Sequence, residues 1–277
     1  MIKRLLPTIL VLASMIAMPT PALAQAYDFT VPQMTVDAYW NEDGSLSLDY
    51  NIVFTNNFGG HIIDYVDLGL PNSDFDINSI TAYVNGQQVY DISAEGFQGQ
   101  GSYGVAIGIS PYVISPGASG TVQISIGRIN NVLYRASEGE NYASAVLKPA
   151  YFTSDTSSGT TNLTVTFHLP PNVTEDEPRY YAAPAGFSEV PESGFDVEGR
   201  IYYRWHNSFA TPYEQYEFGA SFPSSYVPAS SLVSEQNNPF KNMNFGFLIP
   251  LICFTSFALM VGWSIWSANR RKLQYLP

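Results

Sequence analysis

His206 shares one face of an alternating segment with Tyr202 and Arg204, and Glu214 and Glu217 follow soon after. A histidine with a partner carboxylate is the arrangement a general base needs for hydrolysing a glycan or a peptide. The alternative at these positions is an exposed polar strand face. Asp74, Asp76 and Asn78 place oxygen donors at alternate positions, as the first half of a calcium loop does. The pattern then departs, with Ser79 where the loop needs Gly and Asn85 where it needs Glu, so acidity in a surface turn competes with an irregular calcium site. Glu175-Asp176-Glu177, after Pro170-Pro171, reads as a solvated loop.

Gly99, Gly101 and Gly104 fit G-x-G-x-x-G, a spacing that lets backbone approach a pyrophosphate when a strand precedes it and a helix follows. Here Val105 to Ile109 is strand-patterned, so a glycine-rich hairpin loop is expected and no nucleotide. His61, His168 and His206 are too scattered to suggest a metal centre by spacing, and His168 falls on a polar strand face with Thr164 and Thr166. The G-x-S-x-G, S-x-x-K and H-E-x-x-H signatures are missing. The expectation is therefore no cofactor and no metal. The catalytic candidates are His206, Glu214 and Glu217, and the metal candidates are Asp74, Asp76 and Asn78.

The elements that would position such residues are strands. Met34, Val36, Ala38 and Trp40 alternate with polar neighbours, as do Leu46, Leu48, Tyr50, Ile52 and Phe54 beyond Asn41-Glu42-Asp43-Gly44, which predicts a hairpin. The alternation returns at Val122 to Ile126, Leu163 to Leu169, Ile201 to Trp205 and Tyr216 to Phe222. Segments 62–70, 79–89 (around Asn85-Gly86) and 103–109 are further strand candidates. The fold class implied is all-β: a β-sandwich over 25–222, as one large or two packed Ig-like sandwiches, with a possible sub-boundary near 128–142. Residues 223–244, rich in Pro, Ser and Asn without periodicity, read as a linker or stalk.

The two ends address the chain to a membrane. Lys3 and Arg4, the apolar run Leu5 to Ala17 and the small residues of Ala22-Leu23-Ala24 predict a signal peptide over 1–24. Residues 245–268 carry no charge and match the roughly 20 residues that span a bilayer. Trp263 and Trp266 suit the interface, and Arg270, Arg271 and Lys272 suit a cytoplasmic tail over 269–277, so the N-terminal domain is expected outside the cytoplasm. Residues 25–244 hold all 24 acidic residues and seven basic ones, a formal charge of −17, which argues against nucleic acid as a partner. The single cysteine, Cys253, lies in the proposed span, so the exported part must be stable through its core.

The order of signal peptide, hairpin with "WNEDGSL" (40–46), β-rich region closing on "YEFGASFPSSYVP" (216–228) and membrane helix resembles bacterial predicted membrane proteins carrying domain of unknown function 2207. That resemblance, over about 25–270, implies an extracytoplasmic β-sandwich ahead of membrane helices. It transfers no catalytic residue. Relatives of that kind often have several spans, whereas this chain has one. The leading expectation is a single-pass cell-envelope protein that binds or scaffolds an envelope protein or glycan. The alternatives are a membrane-tethered hydrolase of glycans or peptides, and an accessory subunit whose span recruits partners.

Overall fold

The structure is a computed structural model that describes residues 26–136 and 141–233. Contacts divide the chain into 1–234 and 235–277, and every described residue belongs to the first unit. The expected signal peptide, the span over 245–268 and its flanking Trp263, Trp266, Arg270, Arg271 and Lys272 lie outside the described residues. Among the described residues no helix is long and apolar enough to cross a membrane.

Regular alternation becomes strand throughout. Strands β1 (Phe29–Trp40) and β2 (Leu46–Asn56) bury alternate residues, apart from a register shift in β1 between Thr30 and Gln33. Gly44 closes their turn at φ 81°, a conformation open to glycine. Then come β3 (Tyr65–Gly69), β4 (Ile80–Val84), β5 (Gln87–Val89), β6 (Asp91–Ser93), β7 (Gly104–Gly108) and β8 (Ser119–Ile129). The predicted Asn85-Gly86 turn joins β4 to β5 with both residues at positive φ, 50° and 80°. The second half supplies β9 (Leu133–Arg135), β10 (Tyr142–Leu147), β11 (Ser157–Ser158), β12 (Thr161–His168) and β13 (Arg179–Tyr180). It ends with β14 (Glu192–Phe195), β15 (Ile201–Ala210), β16 (Phe218–Pro223) and β17 (Leu232–Val233).

These strands form three sheets. The largest runs β14-β15-β12-β1-β2-β8-β4-β5 with β11 beside β1, and the others run β13-β16-β10-β9-β17 and β3-β7-β6. Apolar residues of all three belong to one buried cluster, so the smaller sheets cover a single face of the large one. A line of aromatic rings ties the layers: Trp40 to Phe167 at 5.6 Å, Phe167 to Trp205 at 5.2 Å, and Trp205 to Phe218 of the second sheet at 5.3 Å. The opposite face of the large sheet carries Thr35, Asp37 and Tyr39 from β1, then Asp49, Asn51, Gln123 and Ser125 from its neighbours.

Three expectations about organisation change. Ig-like sandwiches are antiparallel, yet β1 runs parallel to β12 through seven paired positions, from Gln33↔Asn162 to Tyr39↔His168. Parallel neighbours need a long connection; here the chain from β1 to β12 includes β2 and β8 of the same sheet and then β9 and β10 of the second sheet. Strands from both sides of the 128–142 segment belong to one continuous sheet, joined where β12 pairs with β1, so the two halves do not separate there. Residues 223–233 are not stalk: Val227 is buried, the Tyr226 hydroxyl donates to Glu177 at 2.6 Å, and β17 pairs in parallel with β9. Ser231 sits so close over Gly44 that any Cβ there would collide with it. The absence of alternation in 223–233 reflects 3-10 turns rather than a lack of contacts. The rest of the expected stalk, 234–244, lies outside the described residues.

Candidate functional site

A half-open pocket of about 160 Å³ lies at the end of the sandwich where β1 begins and β2 ends. Its floor is a trio of edge-on rings, Phe29, Phe54 and Phe152, with centroids 5.4 to 5.5 Å apart. Tyr27, Tyr65 and Tyr151 also line it. The Tyr27 ring stands edge-on to Tyr65 at 5.5 Å, and its hydroxyl donates to Asp64 Oδ1 at 2.7 Å. Burial and that carboxylate both push the Tyr27 phenol well above its usual value, so it stays a donor.

Asp67 enters the same pocket from β3 and is half-buried. The Gln98 backbone N–H donates to its Oδ1 at 3.3 Å. Burial raises its carboxyl above the ordinary value, with the Gln98 N–H pulling weakly the other way. No lysine or arginine is among the described residues lining the pocket. The segment expected to be a glycine-rich loop forms the rim: a Cβ on Gly99 would stand 2.7 Å from both Asp67 Cβ and the Phe97 ring, so glycine lets the loop close on Asp67. Sequence reasoning singled out these glycines and missed the pocket. Its walls come from five segments between Tyr27 and Thr156, and no spacing in the chain announces that they meet.

A second cluster lies near the far end of β1, about 30 Å along the strand by the usual rise per residue. His168 stacks on Tyr39, its register partner, at 4.2 Å and 16°. Its Nδ1 lies 2.7 Å from Asp196 Oδ2, and its Nε2 lies 3.4 Å from Asp37 Oδ1. Asp196 is at the tip of the β14–β15 hairpin, where its Oδ1 accepts the Glu198 and Arg200 backbone N–H groups at 2.9 Å each. The Arg200 guanidinium lies 5.8 Å from the Tyr39 ring centroid and pairs with Glu198 at 3.0 Å. Burial works to raise the Asp196 carboxyl; the Arg200 N–H, the His168 ring and the Glu198 N–H outweigh it and hold the carboxyl below its ordinary value. Both ring nitrogens of His168 thus face carboxylates, and the ring pins the hairpin tip to β1. The sequence placed His168 on a polar face; Asp196, 28 residues away, had no signal there.

The residues singled out from sequence have separate partners. His206 Nε2 lies 2.7 Å from Asn162 Oδ1 and 3.5 Å from Ser208 Oγ. Glu214 accepts the Tyr216 hydroxyl at 3.1 Å, whereas Glu217 pairs with Lys148 at 3.0 Å. Asp74 accepts from Asn131 and, at 3.2 Å, from Asn130, while Asp76 caps the 3-10 turn Ile77–Ser79 by accepting the Asn78 N–H at 2.9 Å. Among the described residues, no group of three or more His, Cys, Asp or Glu side chains is placed to hold a metal ion.

No protein-family model and no curated protein matches the chain. Among solved structures, an M1 zinc metallopeptidase from Deinococcus radiodurans is similar at 14% identity and TM-score 0.42, over 72% of this chain and 43% of that one. Legionella pneumophila aminopeptidase A is similar at 10% identity and TM-score 0.39, over 73% of this chain and 22% of that one. The chain spans less than half the length of either structure, and likeness at this level carries no family or activity to it.

Proposed function

We propose that this chain is a membrane-anchored cell-envelope protein whose exported β-rich body binds an envelope component in the aromatic pocket. The observation that carries this reading is the pocket lining. Rigid rings form floor and walls, and a few polar groups converge at the rim, the general make-up of a ligand site. The membrane placement rests on the sequence: a signal-like N-terminus, an uncharged run at 245–268 and the basic residues that follow it. The resemblance to proteins with domain of unknown function 2207 supports the same placement.

Presenting the detergent-purified chain with solubilised envelope peptides and glycans tests the reading. One class should be retained, and Phe152→Ala should abolish retention while leaving the fold intact by circular dichroism. Retention that is indifferent to Phe152→Ala removes the pocket from the proposal.

One observation favours a second reading, the tethered hydrolase: the His168–Asp196 contact of 2.7 Å, the orientation a general base needs. Against it stands Asp37, which occupies the nitrogen that would face a substrate. Hydrolysis of envelope peptides or glycans that disappears in Asp196→Asn would establish this reading. Rates unchanged in Asp196→Asn, Glu214→Gln and Glu217→Gln would end it for both constellations.

A further inference from the structure

Asp67 is a carboxylate drawn partly out of water with a single weak N–H donor and no cation beside it among the described residues lining the pocket. Withdrawal from water without a counter-charge is unfavourable for an ionised group. The contrast with Asp196, also part-buried but held by two N–H groups and an imidazole, shows what a satisfied carboxylate looks like in this protein. Below Asp67 the surface is aromatic carbon, and the faces of tyrosine and phenylalanine rings attract cations. The exported region as a whole is strongly acidic, which concentrates cations around it.

We infer that the pocket takes a primary alkylammonium group, the side chain of a lysine-type residue on an envelope peptide. Its methylene stem would lie on Phe29, Phe54 and Phe152, and its ammonium would pair with Asp67. A volume of about 160 Å³ admits one such side chain and no extended ligand. The apolar floor of Phe29, Phe54 and Phe152 suits a methylene stem, and the polar groups at the rim suit its charged head. This inference rests on the reading of the pocket as a binding site.

The experiment titrates the detergent-purified full chain with Nα-acetyl-lysine methylamide, followed by saturation-transfer NMR. Three comparison probes are the Nε-acetylated form, the norleucine analogue and glucosamine. Saturable binding of the lysine probe is expected, with the two neutral probes at least tenfold weaker and glucosamine without effect. Asp67→Asn should bring the lysine probe down to the level of norleucine, whereas Phe152→Ala should weaken both. Norleucine binding as tightly as lysine overturns the inference and leaves an apolar site standing. Glucosamine binding in place of lysine overturns it in favour of a glycan. Envelope retention without binding of any probe also overturns it, and absence of both retention and probe binding overturns the pocket itself. The probe comparison on the unaltered protein decides the matter even if Asp67→Asn fails to fold.

Discussion

Asp67 and Asp196 are both sheltered carboxylates, and the number of donors around each sets them apart. Asp196, with its carboxyl held low, contributes stability that is fully present above about pH 3.8, the value of a free carboxyl, and is lost as pH falls through its folded value. Asp67 has the opposite sign. Its raised carboxyl imposes a penalty above its folded value that disappears as the group is protonated. Urea midpoints should therefore fall for Asp196→Asn and rise for Asp67→Asn at pH 7, and both differences should shrink near pH 3. Equal shifts at the two pH values would contradict the assignment. Neither carboxylate could be ranked from sequence, because what distinguishes them is backbone N–H groups delivered by folding, Gln98 to one and Glu198 with Arg200 to the other.

At the level of elements, alternation was a good guide where one face of a strand is buried and the other is wet. Val36 and Ala38 against Asp37 and Tyr39, or Leu163 and Val165 against Thr164, showed which residues face inward. It failed for 223–233, whose packing uses Val227, Leu232 and the Tyr226–Glu177 hydrogen bond at irregular spacing. Truncation after Pro223 should therefore lower stability, by about 2–4 kcal/mol for the apolar surface exposed. Guanidinium unfolding of the truncated and full-length chains measures it, and an unchanged midpoint would return the segment to the role of a stalk. Trp205→Ala should cost about 3–5 kcal/mol in the same assay, since it opens a cavity where two sheets meet. Strand partners were less legible than strands: nothing in residues 29–40 or 161–168 states that the two will lie side by side.

On the scale of the whole molecule, an excess of acid weighs on stability. With a formal charge of −17 over 25–244, the folded body repels itself, a cost that dissolved salt relieves. Thermal midpoints should rise as salt passes about 0.1 M, where the screening length is ~10 Å. The opposite trend would mean that pairs such as Arg128–Asp43 at 2.8 Å and Lys148–Glu217 at 3.0 Å dominate the balance. The same excess should make binding of the lysine probe weaken with salt, while any apolar contribution persists.

The parallel pairing of β1 with β12 also fixes an order of events in time. Trp40 cannot meet Phe167 until the ribosome has made more than a hundred further residues. At ordinary synthesis rates that delay is on the order of ten seconds. During it the first hairpin lacks β12 on one side throughout, and lacks β8 on the other until residue 129 has been made. A chain that completes its central sheet so late stays threadable while it is being made. Such delayed closure leaves the outer edge of β1 without its β12 partner until late in synthesis, an open strand edge for most of the time the chain is being made.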